Sequence, residues 1–218
     1  MTHKLEADSI QLEFNLRKIL SDIYIKCETG KITGLLGRNG QGKSCLLNVI
    51  YGNLNAYSSS VRFDGKSIHH AFKRPDLLLF LPQFNFIPKS LTLQRIFRDF
   101  NLDYSHFENI FPAFNATFKS AMHDLAGGQR RLIEIYLIIK SKTQFAMLDE
   151  PFTHITPVYI EKLSALLIEE KKNKGLLITD HMYRHIIDIC DSLYILKNGK
   201  THLTKSISDI EELGYAKF

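Results

Sequence analysis

The run Gly37-Arg-Asn-Gly-Gln-Gly-Lys-Ser44 constrains this chain more than any other feature, because it fits GxxxxGK[ST] between an apolar strand and a helix. Residues 31–36 read as a buried strand, and residues 43–51 carry apolar side chains at helical spacing up to Gly52. Glycines at 37, 40 and 42 permit a loop whose backbone N–H groups turn inward on phosphate oxygens, and the helix start adds a favourable dipole. Lys43 places a point charge near the terminal phosphates, and the Ser44 hydroxyl is a hard oxygen ligand for Mg²⁺. The expected ligands are therefore ATP and Mg²⁺. Gly37, Arg38, Asn39, Gly40, Gln41, Gly42, Lys43, Ser44 and Cys45 form the expected contact set. A glycine-rich turn before a helix is the plain alternative, and the strand-loop-helix context weighs against it.

A phosphate loop specifies a nucleotide but not an activity, so an acidic partner must follow. Phe145-Ala-Met-Leu-Asp149 is an apolar strand ending in a carboxylate suited to Mg²⁺, and Glu150 stands next to it, placed to polarise a water. Strand signals at 10–16, 23–27, 31–36, 61–63, 77–81, 145–148, 175–178 and 192–196 alternate with helical ones at 43–51, 157–172 and 182–189. Between Asn85 and Lys142 strand signals are scarce, and Phe and Leu recur at helical spacing over 91–100, 104–111 and 129–139. This alternation predicts an α/β domain with a parallel sheet and a helical insertion.

With these residues in order, the chain resembles the ATP-binding cassette (ABC) ATPases over its whole length. Leu125-Ala-Gly-Gly-Gln129 is similar to their LSGGQ signature, Gln83 to the Q-loop glutamine and His181 to the switch histidine. Phe14 lies where the family places an aromatic that stacks on adenine. The resemblance implies a P-loop fold with a RecA-like core (1–84 and 143–218), an antiparallel β subdomain and a helical subdomain (85–142), all one nucleotide-binding domain over 1–218. It implies catalytic roles for Glu150, His181 and Gln83, and metal contacts for Ser44, Gln83 and Asp149. It also implies nucleotide contacts from Ala126, Gly127, Gly128 and Gln129 of a second cassette, in a homodimer or heterodimer closed around two ATP. The membrane partner would be an integral permease subunit. The segments 176–182 and 188–195 look most like the ATPase of lipopolysaccharide export and its branched-chain amino-acid relatives.

Three positions depart from the family pattern. Ala126 replaces the signature serine, Cys45 stands where Thr is common, and Phe152-Thr-His-Ile-Thr156 lacks the usual final Asp. An active but slow ATPase is expected. His181 and His185 stand four apart, but no third metal ligand is evident. The net charge of +5 fits phosphates, an anionic membrane surface or nucleic acid, with nucleic acid the less expected. Cys27, Cys45 and Cys190 are dispersed, as free thiols in a reducing compartment would be. No run reaches the roughly 20 apolar residues of a membrane span, and none resembles a secretory signal. The expected location is cytoplasmic, peripheral on the cytosolic face of a membrane. A soluble, non-transport ABC ATPase and a degenerate regulatory cassette are the alternatives. Phe84, Phe86, Phe97 and Phe100 are read as mostly core, with some lining a groove for a partner helix.

Overall fold

Short apolar runs become parallel strands of one sheet, and this sets where the loops between strand and helix emerge. The structure, a computed structural model, describes residues 2–204 and 206–216. The outer limits expected for the domain, residues 1 and 218, lie outside the described residues. In chain order the elements are β1 (Lys4–Phe14), β2 (Arg17–Leu20), β3 (Tyr24–Glu28), β4 (Ile32–Leu36), α1 (Lys43–Tyr51), β5 (Ser58–Phe63), β6 (Lys66–Ser67) and β7 (Leu78–Leu81). Then follow α2 (Leu93–Asp99), α3 (Tyr104–Ile110), α4 (Gly127–Lys140), β8 (Phe145–Asp149), α5 (Pro157–Glu170) and β9 (Gly175–Thr179). The last are α6 (Tyr183–Ile189), β10 (Ser192–Lys197), β11 (Lys200–Thr204) and α7 (Ile207–Glu212).

The larger sheet runs β11-β10-β4-β9-β8-β7, parallel throughout except for the β10–β11 hairpin. Both faces are covered, so its central strands are buried along their whole length: every residue of β4, β8 and β9 is buried. Alternate side chains feed two cores. Ala146, Leu148, Leu176 and Ile178 join the helices α4 and α5 on one face. Phe145, Met147 and Leu177 join α1 and the second sheet on the other. That second sheet is antiparallel, with β1 paired to β2, β3 and β5.

Residues 85–142 are helical wherever regular elements form, apart from one isolated bridge between Thr92 and Ala121. Their core is aromatic: Phe97, Tyr104, Phe107, Phe111, Phe114 and Tyr136 are all buried. The Phe107 ring lies 4.8 Å from Phe114 and 4.9 Å from Tyr136, both edge-on. Phe97 is therefore core, Phe86 and Phe100 are partly buried against it, and Phe84 is 70% exposed.

Candidate active site

In a parallel sheet all strands present their carboxyl ends on one edge, and that edge gathers the loops here. β4 ends into Gly37, β7 into Pro82-Gln83, β8 at Asp149 into Glu150, and β9 into Asp180-His181. Residues distant in sequence thus meet in one cavity of about 460 Å³. It is lined by Phe14, Ile19, Asn39, Gly40, Gly42, Lys43, Ser44, Cys45, Gln83, Glu150 and His181. Gly42 has φ 98°, and a Cβ there would stand 2.7 Å from Ile19, so the loop's last turn requires glycine.

Lys43 is 6% exposed, and its Nζ donates to the Gly37 carbonyl at 2.7 Å. Burial pushes its pKa down, while Glu150, Asp149 and Asp180 oppose that. Asp149 is 2% exposed and its Oδ1 has no hydrogen-bond partner. Burial pushes the Asp149 pKa up, and the nearby Ser44 hydroxyl pulls it back. A buried, unpartnered carboxylate oxygen beside a serine hydroxyl is a donor set suited to a hard divalent cation, so the residues present fit Mg²⁺.

Glu150 has φ 50°, unusual for a residue with a long side chain, and its N–H donates to the Thr179 carbonyl at 2.7 Å. This left-handed turn directs the carboxylate into the cavity. There its Oε2 accepts from Gln83 Nε2 at 2.8 Å and lies 3.6 Å from His181 Nδ1. The three residues expected to be catalytic therefore form one cluster above the phosphate loop.

Other expected contact residues point elsewhere. Arg38 Nη2 donates to the Gly214 carbonyl at 2.9 Å, and Gln41 Oε1 accepts from the Asn198 N–H at 2.9 Å. Neither lines this cavity, and the Gln41 N–H itself donates to the Arg38 carbonyl at 3.2 Å. Gly127 and Gly128 line a separate space of about 400 Å³ with Gln83, Asn85, Arg131, Thr153 and His154. Ala126 is exposed at the start of α4, where its N–H donates to Gln129 Oε1 at 3.0 Å. Phe14 lines the cavity's rim with 46% exposure.

Three buried charged residues around the site, Asp180, Arg131 and Glu134, escape a reading of the sequence. Asp180 is fully buried and its carboxylate accepts from the Phe152 and Met182 N–H groups at 2.9 and 2.8 Å. Burial raises its pKa, and these two bonds act against the rise. Arg131 and Glu134, three apart on α4, are 5% and 0% exposed. Charges at that spacing ordinarily signal a solvated helix face. For Glu134 the signal that could have found it is its position between Leu132-Ile133 and Ile135, inside an otherwise apolar run; Arg131, next to Gln129 and Arg130, carries no such signal.

Comparison with known proteins bears on the family and the fold. The family model described as ABC transporter matches residues 20–153. The lipopolysaccharide export system ATP-binding protein LptB of Haemophilus influenzae is 28% identical over 214 residues, covering 90% of this chain and 88% of that protein. The high-affinity branched-chain amino acid transport ATP-binding protein BraG of Pseudomonas aeruginosa is 23% identical over 220 residues, covering 90% of each. Among solved structures, an ATP-binding subunit of an ABC transporter superposes with a TM-score of 0.79 at 22% identity, covering 97% of this chain and 93% of that one. With the family model spanning more than half of its length, the chain belongs to the ABC transporter family.

Proposed function

We propose that this chain is the Mg²⁺-dependent ATPase subunit of a membrane transporter, one cassette over residues 1–218 with the helical subdomain at 85–142. The observation that carries the reading is the cluster of Glu150, Gln83 and His181 facing Lys43 and Ser44 across one cavity. Adenine would rest on Phe14, and the phosphates would take the inward N–H groups of residues 37–45, with Lys43 turning from the Gly37 carbonyl to the β- and γ-phosphates. Ser44, Asp149 and Gln83 would hold Mg²⁺, which when bound neutralises the charge on those phosphates. Glu150 would hold the attacking water by one of its protons, and Gln83 and His181 would fix that carboxylate and meet the γ-phosphate. The new bond would join the water oxygen to Pγ as one water proton passes to Glu150, the bond from Pγ to the bridging oxygen would break, and ADP and phosphate would leave, with Glu150 returning the proton to phosphate or solvent.

The signature residues Gly127 and Gly128 line a space separate from the phosphate-loop cavity, which supports a site completed by a second cassette, a copy of this chain or a related one. No helix among the described residues is long and apolar enough to cross a membrane. Work across a membrane would therefore need an integral permease subunit, with the cassette peripheral on its cytosolic face. Phe84, 70% exposed beside the Q-loop, is a candidate contact. LptB and BraG carry transport in their names, which favours this reading over a soluble, non-transport ATPase.

The test compares wild type with Glu150→Gln in ATP, with and without Mg²⁺. Phosphate release should depend on Mg²⁺ and fall about 10²–10⁴-fold in the variant, while ATP binding persists. Equal rates for the two proteins would remove Glu150 from the chemistry.

A further inference from the structure

Helix α4 begins with the signature and carries Arg131 and Glu134 about one turn further on. The Glu134 carboxylate reaches across to the segment after Gln83. Its Oε2 accepts from Asn85 Nδ2 at 2.8 Å, and its Oε1 from the N–H groups of Phe86 and Ile87 at 2.9 and 3.1 Å. Arg131 reaches to two strand ends. Nη1 donates to the Pro82 carbonyl at 2.6 Å, and Nη2 to the carbonyls of Asp149 and Glu150 at 2.7 and 3.3 Å. The two side chains stand 3.9 Å from each other. Gly128 adds an independent contact: a Cβ there would lie 2.7 Å from the His154 carbonyl, so the signature helix sits directly on the loop that follows Glu150. Two buried charges so fully bonded tie three backbone segments to one helix, and truncating either would leave the other without its counter-charge.

We infer that Arg131 and Glu134 are positioning residues that make the signature helix, the Gln83 loop and the Asp149-Glu150 strand end one mechanical unit. Engagement of a chain's signature by its partner's nucleotide then aligns that same chain's own Gln83 and Glu150. In the two-cassette dimer of the proposed function, on which this inference rests, each ATP site is thereby linked to the other through the body of each chain. Hydrolysis is cooperative because of these two residues. Neither needs to touch nucleotide.

The experiment measures steady-state ATPase against ATP concentration for wild type, Glu134→Gln, Glu134→Ala and Arg131→Ala, with the Kd of each for a fluorescent ATP analogue. Misplacing reacting groups by about 1 Å costs on the order of 10²-fold. Glu134→Ala and Arg131→Ala should lower kcat by about that factor and bring the Hill coefficient to that of independent sites. Their Kd for the analogue should stay within about twofold of wild type, since the phosphate loop itself is untouched. Glu134→Gln keeps an acceptor for the Phe86 and Ile87 amides and should fall between. Unchanged kcat and Hill coefficient in both alanine variants would overturn the inference. So would a common fall in kcat and analogue binding, which marks a merely structural role. If the alanine variants do not fold, hydrogen exchange decides. The amides of Phe86 and Ile87 should slow when Glu150→Gln closes on ATP, and unaltered exchange would overturn the inference. A wild type that neither hydrolyses ATP nor dimerises on it would instead sink the proposed function.

Discussion

Lys174 is 2% exposed, and its ammonium donates to the carbonyls of Ile139 and Ser141 at the end of α4. Burial lowers its pKa to about 8, with Glu170 acting against the shift. In the unfolded chain a lysine titrates near 10.4. Between about 8 and 10.4, then, the unfolded chain holds a proton that the folded chain lacks, and stability from this group rises with pH. Below about 8 both states are protonated and the slope vanishes. The neutral amine still has two hydrogens for the two carbonyls, though each bond is weaker than the ammonium's. Lys174→Met should therefore destabilise the fold by about 1–3 kcal/mol near neutral pH, through the carbonyls left unpaired. Its deficit relative to wild type should widen as pH rises from 8 to 10.4. Urea midpoints for both proteins across that range check this, and a deficit independent of pH would contradict the lowered pKa.

At the scale of elements, Asp180 joins the loop after β8 to the loop after β9 by accepting one N–H from each. Asp180→Ala leaves the buried Phe152 N–H and the part-buried Met182 N–H unpaired and should cost about 1–3 kcal/mol for the buried donor and less for the other. Asp180→Asn, which keeps one acceptor, should lie between the alanine variant and wild type in denaturant midpoint. Elements whose burial is uniform were legible in the sequence, because a continuous apolar run admits few alternatives: β4, β8 and β9 fall within about one residue of expectation. The hairpin partner β2 falls between the strand signals at 10–16 and 23–27 and carries none of its own. Its turn is made by Asn15 and Leu16 at φ 48° and 66°, without the glycine that usually marks such a turn. β5 begins at Ser58 rather than Val61, since three serines show no apolar alternation. α7 was not foreseen, although the cap formed by Ser206 and Asp209 was present as a signal. In the site, the resemblance to the cassette family implies Lys43, Ser44, Gln83, Glu150 and His181 together, and they do share one cavity. Spacing could not convey that Arg38 and Gln41 turn to the C-terminal segments, or that Arg131 and Glu134 are buried. Those facts depend on tertiary neighbours far away in sequence.

At the scale of the whole molecule, the weak point is the surface that would face a second cassette. Ala126 is the N-cap of α4 and offers no side-chain bond to the helix start. A serine there would serve twice, because a hydroxyl accepts and donates at once. Its oxygen would accept from the N–H near Gln129, stabilising the free chain by about 1 kcal/mol. Its proton would remain available for a γ-phosphate oxygen of the partner's ATP, a bond to a charged group worth roughly 1.5–3 kcal/mol. The cap is present in monomer and dimer alike and cancels from the association, so only the phosphate bond tightens it. Since 1.4 kcal/mol is a factor of ten, Ala126→Ser should strengthen ATP-dependent dimerisation by about tenfold or more. The amides of Gly127 and Gly128 at the helix start would still favour phosphate in the wild type, so association should be weaker without the hydroxyl but should persist. Sedimentation of Glu150→Gln with and without Ala126→Ser, in ATP and Mg²⁺, measures the difference. Thermal unfolding of the same pair without nucleotide isolates the cap. Equal dimer affinities alongside a raised melting temperature would mean that a bridging water already takes the hydroxyl's place at the phosphate. The wild-type signature would then be no handicap, and Ala126 would no longer be a reason to expect slow turnover.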